Sequence, residues 1–476
     1  MRLSHFTRLP SSLVLASTLL AGGASAADWT RFRGENGSGV STDSAATPVE
    51  WSESQNLLWS AELPGPGKSS PIIVGDRVII TCWSGENPPQ DLRRHLMCFD
   101  RNTGDQMWSK EILPKVTDES FRGMFTENGY ASHTPTSDGE RIFAFFGKTG
   151  VIAFDMEGNE QWQTSVGTGE DPRGWGTASS LVLYKDLVIC TAASESQALV
   201  ALRKDNGEEA WHEEAEGLGA TWGTPIVVDG EGGRQDLVLA VSGEVWGINP
   251  DTGKLRWYSN GPGGNSMCGS AVTADGVVYV LGERDGGTVA VRGGGKGDVN
   301  ESHVQWTANH RGRIGTPVVH EGLIYWVSDG VANCIDAATG DRVYQTRLKP
   351  PTEASATAEA PAEPPAESPP AQPPVEGFGR PGEFAEFGPP GGGGGRGGGG
   401  GMRGQDYSSA VAADGKLYFV RRSGEMYVLA LGREFKQLAA NKFDSDDGDF
   451  SATPAVSDGK LFIRSSNKLY CIGARE

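Results

Sequence analysis

Cysteine is scarce in this chain and follows none of the patterns that bind metals or haem. Six cysteines occur among 476 residues, with no Cys-x-x-Cys, no adjacent pair and no Cys-x-x-Cys-His. A disulfide scaffold or a covalently attached haem therefore does not fit this chain. Cys98, Cys334 and Cys471 occupy matching places in repeated strand patterns, which is typical of small buried hydrophobic residues. A disulfide between Cys82 and Cys98 is an alternative that the sequence leaves undecided, because the two residues fall on consecutive predicted strands.

Positive charge is also in short supply. Lys and Arg number 42 against 61 Asp and Glu, which gives a formal net charge of −19. Such a surface repels nucleic acid and anionic lipid, and basic patches with interleaved aromatic residues are absent. No nucleic-acid partner is expected. The acidic excess is compatible with cationic partners or with solubility alone, and solubility is the favoured interpretation.

Long hydrophobic runs are missing, so no transmembrane segment is predicted. Residues 13–21 form an apolar stretch too short to span a bilayer. This stretch follows Arg2 and Arg8 and precedes Ala24-Ser25-Ala26, the zones of a secretory signal peptide. We predict a signal peptide over residues 1–26, cleavage after Ala26, and a periplasmic or secreted mature protein. A buried N-terminal helix is the alternative, and a lipoprotein anchor is not expected because no Cys follows closely.

Alternating apolar runs are the dominant positive feature. Residues 221–261 hold four of them, and the last two are separated by the tight turn Asp251-Thr252-Gly253. Alternation with a period of two indicates half-buried antiparallel strands. One small four-stranded sheet cannot bury both of its faces alone, so it needs copies of itself on either side.

The rest of the chain supplies those copies. Most repeats start roughly 45 residues apart, in the range of propeller blades, and the Gly-His and Trp-Asp dipeptides of WD40 repeats do not recur. The sequence predicts an all-β, eight-bladed β-propeller of four-stranded antiparallel blades. The first strands of the eight repeats fall within residues 69–81, 133–147, 175–192, 221–242, 269–282, 315–328, 408–422 and 452–466.

The two ends of the chain are predicted to close the ring together. Residues 56–63 have the form of a fourth strand, with Trp59 in the place that Trp257 occupies in its own repeat. The C-terminal repeat has only three strands. We therefore expect the N-terminal strand to complete the last blade. The short segment 29–34 is expected to pack across one face of the ring.

Residues 349–405 interrupt the repeats. Pro and Glu dominate as far as Glu376, and Gly dominates over residues 391–401. A segment with so few branched apolar residues does not offset the entropy lost on ordering, so we predict a disordered insertion. The expected domain organisation is a signal peptide over 1–26, the closing strand and blades 1–6 over 27–348, the insertion over 349–405, and blades 7–8 over 406–476.

A recurring turn pattern carries a resemblance to a known family. The repeats resemble those of the pyrroloquinoline-quinone-binding-like (quinoprotein/BamB-like) β-propeller superfamily, across nearly the whole mature chain outside 349–405. The resemblance implies that the turn and its Trp brace neighbouring blades, which is a structural role. The pattern is found in Phe99-Asp100…Thr103-Gly104…Trp108, Phe154-Asp155…Gly158…Trp162, Asn249…Thr252-Gly253…Trp257 and Ile335-Asp336…Thr339-Gly340, with Tyr344 in the Trp place.

The superfamily implies two alternative functions. Its quinoprotein dehydrogenases bind the quinone over the ring axis beside Ca²⁺ and a catalytic Asp, often under a disulfide of adjacent cysteines. Its non-catalytic relatives resemble BamB and scaffold other proteins. Because this chain lacks the adjacent cysteines and any assignable Ca²⁺ ligand cluster, we expect a monomeric, non-enzymatic envelope scaffold that binds other envelope or exported proteins, with no cofactor, metal or catalytic residue. The alternative is an alcohol or sugar dehydrogenase that uses pyrroloquinoline quinone (PQQ) with Ca²⁺.

A candidate ligand site follows from propeller geometry. The first strand of each blade lines the channel, so residues just before it ring one mouth. Two Trp, one His, two cations and acidic groups there could hold a planar anionic ligand by stacking and charge-assisted hydrogen bonds. The favoured alternative is structural, with the Trp-Gly-Thr triplets closing turns and His133 a satisfied turn residue. The candidate residues are Lys68, His133, Trp175, Trp222, Arg313, Asp406, Tyr407 and Asp449.

Overall fold

Each repeat forms one antiparallel sheet, and the eight sheets are the blades of a propeller. A computed structural model describes residues 28–283, 286–351 and 405–474. The innermost strands of neighbouring blades contact one another around a central channel, and those of blade 8 and blade 1 also meet. The predicted eight-bladed fold is confirmed. The predicted signal peptide and nearly all of the predicted disordered insertion lie outside the described residues.

Blades 1 to 4 come from residues 72–260, each with its strands in chain order from the channel outwards. Blade 1 consists of Ile72–Val74, Arg77–Ser84, Arg93–Asp100 and Gln106–Ile112. Blade 2 consists of Thr136–Ser137, Arg141–Phe145, Val151–Asp155 and Glu160–Thr164. Blade 3 consists of Val182–Tyr184, Leu187–Ala192, Ala198–Arg203 and Glu209–Glu214. Blade 4 consists of Ile226–Asp229, Gln235–Val241, Glu244–Ile248 and Leu255–Asn260.

Blades 5 to 8 complete the ring. Blade 5 consists of Val272–Ala274, Val277–Leu281, Thr288–Arg292 and Val304–Ala308, and blade 6 of Val318–His320, Leu323–Ser328, Val331–Asp336 and Arg342–Arg347. Blade 7 consists of Val411–Ala413, Lys416–Val420, Met426–Ala430 and Gln437–Asn441, and blade 8 of Ala455–Ser457, Lys460–Arg464, Lys468–Ile472 and Leu57–Glu62. The short helices are the α-helical turns Phe125–Asn128 and Asn300–His303 and the 3-10 turns Glu35–Gly37, Gly147–Thr149, Glu216–Ala220 and Glu231–Gly233.

Blade 4 departs from the predicted four strands. The two-residue strand Gly297–Asp298 pairs in parallel with its outer strand, at Trp257 and Tyr258. The added strand comes from the long connection between the third and fourth strands of blade 5, which reaches over the edge of its neighbour. Blade 4 is therefore five-stranded.

The ring closes as the sequence predicts. The N-terminal strand Leu57–Glu62 pairs antiparallel with the C-terminal strand Lys468–Ile472, with Ser60 opposite Tyr470 and Glu62 opposite Lys468. An N-terminal strand thus supplies the outer edge of blade 8. Because both ends of the chain share one sheet, no blade face is left bare.

Trp59 occupies a contact between blades that recurs around the ring. Its indole Nε1 donates to the Arg101 carbonyl, in the turn between the third and fourth strands of blade 1, at 2.9 Å. A Cβ at Gly104, whose φ is 77°, would lie 2.6 Å from the Trp59 ring, so only glycine lets the turn approach this closely. The same bond to a turn carbonyl of the next blade is made by Trp108, Trp162, Trp211 and Trp306.

Trp257 occupies the matching strand position, opposite Gly247, and is buried in the cluster that joins blades 4 and 5, so its predicted equivalence with Trp59 holds for place but not for the hydrogen bond. Trp257 donates instead to the Asp236 carboxylate of its own blade at 2.8 Å. Its ring packs on Gly247 of the adjacent strand, where an added Cβ would lie 1.9 Å away. Asp236 is fully buried and also pairs with Arg234 and Arg256. The buried Asp236 carboxylate therefore accepts the hydrogen bond that the other indoles donate to a turn carbonyl of the next blade.

The segment ahead of the closing strand covers one end of the channel, as expected. We call residues 28–41 the base segment. It pairs with the innermost strand of blade 1 at Ile73, with that of blade 4 at Val227 through Asn36, and with that of blade 7 at Ala412. At its centre Arg33 is fully buried and donates to the Thr316 and Pro317 carbonyls of blade 6 at 2.7 and 2.6 Å.

The hydrophobic core lies between blades rather than inside one. Each main cluster of buried side chains joins adjacent blades, and the largest joins blades 7, 8 and 1 with Trp29, Trp51 and Trp59 from the N-terminal region. All six cysteines are free, so the bridge between Cys82 and Cys98 is not formed. Cys98 faces Ile79 across the strand pair, which leaves the two thiols out of register. Among the described residues no helix is long and apolar enough to cross a membrane.

The two borders of the insertion are described and bonded to the ring. Lys349 exchanges two backbone hydrogen bonds with the Gln437 amide of blade 7, each 2.9 Å long. Gln405 is buried and accepts a hydrogen bond from Arg313 at 2.9 Å. The predicted disorder over 349–405 therefore concerns residues 352–404, which lie outside the described part of the chain.

Candidate functional site: a closed-ended central channel

The central channel is a cavity of about 420 Å³. Its base is formed by Phe32 of the base segment, and its mouth lies at the opposite end, where the chain enters each innermost strand. The wall between them carries one Ser or Thr from every blade. We call these eight residues the hydroxyl ring: Ser70, Thr134, Ser180, Thr224, Ser270, Thr316, Ser409 and Thr453.

The hydroxyl ring is closed by hydrogen bonds from blade to blade. Each residue's backbone N–H donates to the hydroxyl oxygen of its counterpart in the next blade, and the last, Thr453, donates to Ser70. The eight bonds measure between 2.9 and 3.2 Å. None of these hydroxyls donates to a protein acceptor within the described chain. The eight residues are 1–7% exposed, so each O–H, which has no protein acceptor, can donate only at the cavity wall.

A second tier lies two residues earlier in each blade, towards the mouth. Side chains at i and i+2 of an extended chain share one side, so this tier also faces the channel. Its composition differs around the ring, unlike the uniform tier below it. We call it the upper ring: Lys68, Ser132, Ala178, Trp222, Cys268, Ile314, Tyr407 and Ser451.

One side of the mouth carries a network of paired charges. The Lys68 ammonium contacts the Asp449 carboxylate at 2.5 Å, and the same carboxylate oxygen accepts from Arg422 Nε at 2.9 Å. Arg422 also reaches Glu127, of the turn Phe125–Asn128, at 2.6 Å and covers the ring of Tyr407. Burial lowers the pKa of Lys68, while the charge of Lys68 keeps the pKa of Asp449 below its ordinary value in spite of burial. The charges in this network compensate one another.

The other side of the mouth is aromatic. The rings of Trp175 and Trp222 lie with centroids 5.0 Å apart at 31°. Asp171 holds the Trp175 backbone by accepting its N–H at 2.7 Å, and Asn128 donates to the Trp175 carbonyl at 2.7 Å. Trp222 is nearly buried, whereas Trp175 keeps part of its surface exposed. The Arg173 guanidinium lies 6.0 Å from both ring centroids.

Two more charged groups at the mouth, Arg313 and Glu283, are also engaged. Arg313 donates to Asp329 at 2.6 Å and to Gln405 at 2.9 Å. The Glu283 carboxylate accepts a hydrogen bond from Ser266 at 3.0 Å. Burial and the nearby Glu283 charge raise the pKa of the Cys268 thiol well above its ordinary value, so this cysteine is not a poised nucleophile.

The structure brings five of the eight candidate residues to the cavity wall. Asp449 lies just outside the wall and is joined to it through Lys68. Asp406 lies behind the wall, accepts from the Arg421 side chain and the Arg422 backbone N–H, and has its pKa raised by burial. The five that line the cavity are Lys68, Trp175, Trp222, Arg313 and Tyr407.

The structure does not bring His133 to the cavity wall. This residue is 5% exposed and packs on Phe145, with Nε2 3.4 Å from the Thr177 hydroxyl. Residue 133 directly precedes a member of the hydroxyl ring, and adjacent residues of an extended chain point to opposite sides. Burial, followed by the charge of Arg94, lowers the pKa of His133 to about 3, so the ring is neutral.

The hydroxyl ring was not predicted from the sequence, although the repeats contain a pattern that marks it. A Ser or Thr stands two positions before the first residue of every innermost strand and is always preceded by a small or polar residue. Six of the eight pairs are Ser-Ser, Gly-Ser or Gly-Thr, which are ordinary turn dipeptides. The signal is visible only when the eight repeats are aligned on their first strands.

PQQ with Ca²⁺ does not fit the side chains found here. The rings of Trp175 and Trp222 lie 5.0 Å apart at 31°, which leaves no room for a flat ring system between them. The wall cations Lys68 and Arg313 are paired with Asp449 and Asp329, and Glu127 and Glu283 add negative charge to the wall. Within residues 28–283, 286–351 and 405–474, no group of three His, Cys, Asp or Glu side chains converges as metal ligands would.

Solved structures share this fold at low sequence identity. BamB from Moraxella catarrhalis superposes with a TM-score of 0.57 at 10% identity, over 88% of this chain and 98% of that chain. A europium-containing methanol dehydrogenase gives 0.58 at 12%, over 94% and 98%. The quinohemoprotein alcohol dehydrogenase from Comamonas testosteroni gives 0.56 at 10%, over 94% and 81%. At such identities the likeness establishes the fold alone.

Sequence comparison identifies the family to which the chain belongs. No curated protein matches the chain. The model of the family described as "Outer membrane protein assembly factor BamB" matches two overlapping stretches, residues 28–174 and 93–346. These stretches include the closing strand, blades 1 to 6 and the base segment. The chain therefore belongs to this BamB family of PQQ-like β-propellers.

Proposed function

We propose that this protein is an exported, non-catalytic scaffold of the cell envelope that binds other envelope or exported proteins. The observation that carries the proposal is a set of exposed apolar side chains along the outer strand of blade 1 and the connection that follows it. Of the five large hydrophobic residues exposed in the described chain, four fall within residues 107–121. Clusters of exposed apolar residues mark protein-binding sites. We call this surface the blade 1 patch: Met107, Leu113, Val116 and Phe121, with Leu113 58% exposed.

The pairing of charged side chains in the channel also supports the proposal that the protein is not catalytic. Its charged groups pair with one another, as Lys68 does with Asp449 and Arg422 with Glu127. A general base must be unpaired and within hydrogen-bond reach of the proton that it removes from the substrate, and a nucleophile needs such a base beside it. Membership of a family described as an assembly factor points in the same direction. The three-zone N-terminus supports export.

A photo-cross-linking experiment tests the scaffold. A photoreactive amino acid at Leu113 or Val116 is expected to give one discrete adduct with an envelope protein in living cells. Leu255, 52% exposed but isolated from the blade 1 patch, is the matched control and is expected to give none. Leu113→Ser should weaken binding of the identified partner about tenfold, since its side chain would be buried in the complex. Equal adducts at all three positions, or none in cells, would refute the proposal.

Two further measurements address the enzymatic alternative and export. Added PQQ with Ca²⁺ is expected to give no dye-linked oxidation of alcohols or aldoses, and protein from the native host should show no quinone by absorbance or mass. Turnover that disappears in Trp222→Ala would instead establish the dehydrogenase. N-terminal sequencing of the exported form is expected to begin at Ala27, and a cytoplasmic form beginning at Met1 would contradict export.

A further inference from the structure

We propose that the channel binds the end of a neutral carbohydrate chain. This inference concerns a small-ligand site and does not depend on the scaffold proposal, since none of the four residues of the blade 1 patch lines the cavity. It is carried by three features of the cavity: a wall of uncharged hydroxyl and amide groups, an aromatic surface at the mouth, and a closed base.

The wall matches a polyhydroxylated ligand. A sugar hydroxyl both donates and accepts, so it is best satisfied by groups that can do either. The hydroxyl ring presents eight O–H groups whose oxygens are fixed by backbone N–H bonds, which orients them before a ligand arrives. Ser132 and Ser451 add hydroxyl oxygens one tier higher, whose protons are donated to the Asn128 carbonyl and the Asp449 carboxylate, and Asn265 and Gln405 add amides at the mouth.

The balance of charge selects a neutral ligand. Lys68 and Arg313, the cations of the wall, are held by Asp449 and Asp329 at 2.5 and 2.6 Å. A bound anion would have to break these pairs and would meet the carboxylate of Glu283 at the wall. Glu283 keeps acceptor capacity beyond the bond from Ser266, because a carboxylate offers about four lone-pair sites. A carboxylate with spare capacity is a suitable acceptor for sugar hydroxyls.

The aromatic surface supplies the apolar part of sugar recognition. Pyranose rings carry their C–H groups on their faces, and these pack on an aromatic plane while the hydroxyl edge bonds to polar groups. Trp175 keeps part of its surface exposed at the mouth, and its backbone is fixed by Asp171 and Asn128. Trp222 backs it at 5.0 Å, which prevents the ring from collapsing into the wall.

The closed base decides which part of a glycan enters. Phe32 ends the cavity, and the base segment behind it is fixed by Arg33 and by pairing with blades 1, 4 and 7. A chain cannot pass through such a channel. The site therefore takes a terminal sugar into the hydroxyl ring and stacks the following one on Trp175 at the mouth.

Isothermal titration of the mature full chain tests this assignment. The probes are maltotriose, cellotriose, mannotriose, xylotriose and chitotriose, with trigalacturonate and a Gly-Ser peptide as competing classes. At least one neutral trisaccharide should bind with a Kd of about 1 mM or tighter, and added salt should leave this affinity unchanged. Trp175→Ala and the isosteric Glu283→Gln should each weaken it roughly tenfold. Trp246→Ala, which alters a half-buried tryptophan outside the cavity, is the matched control and should leave it unchanged.

Several results would overturn the carbohydrate site. They are absence of binding by the folded protein at about 10 mM of every neutral trisaccharide, tighter binding of trigalacturonate, or tighter binding of the peptide. Binding that survives both Trp175→Ala and Glu283→Gln would place any sugar elsewhere. Melting curves of the two variants show whether a loss of sugar binding comes from unfolding. Glu283→Gln is the safer variant in this respect, because Gln has the shape of Glu, whereas Trp175→Ala removes a large side chain. Cross-linking from the blade 1 patch is unaffected by all of these outcomes.

Discussion

Trp59→Ala is the sharpest test of how the ring is held closed. Trp59 belongs to the outer strand of blade 8 and is 8% exposed. It lies against Gly104 and donates to the Arg101 carbonyl, both in blade 1. The substitution removes the only indole in the described chain that joins the last blade to the first, without touching the pairing of the strand itself.

The expected cost follows from these contacts. Burying an aromatic side chain removes roughly 150–250 Å² from water, worth about 4–6 kcal/mol at 25 cal/mol per Å². The hydrogen bond to Arg101 adds about 1 kcal/mol net. Partial collapse of blades 8 and 1 into the space recovers some of this. We expect the free energy of unfolding to fall by about 3–5 kcal/mol, as for other buried Trp→Ala changes.

Urea denaturation followed by circular dichroism measures this loss, with Trp108→Ala as the matched control. Trp108 makes the same bond, at 3.1 Å, between blades 1 and 2, but is more exposed. Its removal should cost less than that of Trp59, because less area is buried and no chain end is released. A loss below about 1 kcal/mol for Trp59→Ala would mean that the closing strand is held mainly by its backbone.

A disulfide test of register separates these contributions. Glu62 and Lys468 face each other across the closing strands and form a 3.1 Å ion pair. Glu62→Cys with Lys468→Cys is expected to cross-link in the folded monomer. Ala61→Cys with Lys468→Cys, one residue out of register and on opposite faces, should not. Cross-linking of the second pair in preference to the first would show that the strand pairs differently.

Three further predictions concern other parts of the ring. Deleting residues 352–404 and joining the borders by a short Gly-Ser linker should change the melting temperature by no more than about five degrees in calorimetry, because loop closure costs only logarithmically; a larger fall would show that the insertion packs on the ring. Burial raises the pKa of Glu195, which lies between the second and third strands of blade 3, from 4.5 to about 8. Between these values the folded protein retains a proton that the unfolded chain releases, so the free energy of unfolding should fall by about 1.4 kcal/mol for each unit by which the pH rises. Glu195→Gln should remove that slope in melting curves taken from pH 5 to 8, and an unchanged slope would contradict the assignment. Arg33→Met should lower the free energy of unfolding by about 2–4 kcal/mol, since it leaves buried carbonyls without their donor, whereas Glu35→Ala, exposed on the same segment, should have little effect in the same urea titration.

The sequence carried most of the fold because strand alternation and turn chemistry are local. The four runs predicted within residues 221–261 correspond to the four main strands of blade 4, and the pairing of Leu57–Glu62 with Lys468–Ile472 follows from counting strands at the two ends. What failed was the environment of single residues. Trp257 matches the repeat pattern, yet Asp236, twenty-one positions away, captures its indole. No local signal distinguishes it from Trp211.

The candidate site was predicted less completely, for a reason of geometry. Propeller topology indicates which turns meet at the mouth, but the direction of each side chain depends on its parity relative to the strand. Lys68 and Tyr407 have the parity of the hydroxyl ring and line the cavity, whereas His133 has the opposite parity and is buried. Pairing of charges across blades, as between Glu127 and Arg422, joins residues 295 positions apart and leaves no trace in the sequence.

The base segment ties the earliest part of the folded chain to some of the latest. Asn36 bonds to Val227, Arg33 to Thr316 and Ser41 to Ala412, across separations of 191, 283 and 371 residues. A chain growing from its N-terminus makes this segment long before its partners exist, so its docking waits until blades 4, 6 and 7 have formed. Seating of the segment is thus a late event that occurs only in a finished molecule. A chain that stops before residue 411 lacks the strand against which residues 39–41 pair, and its channel stays open at the base.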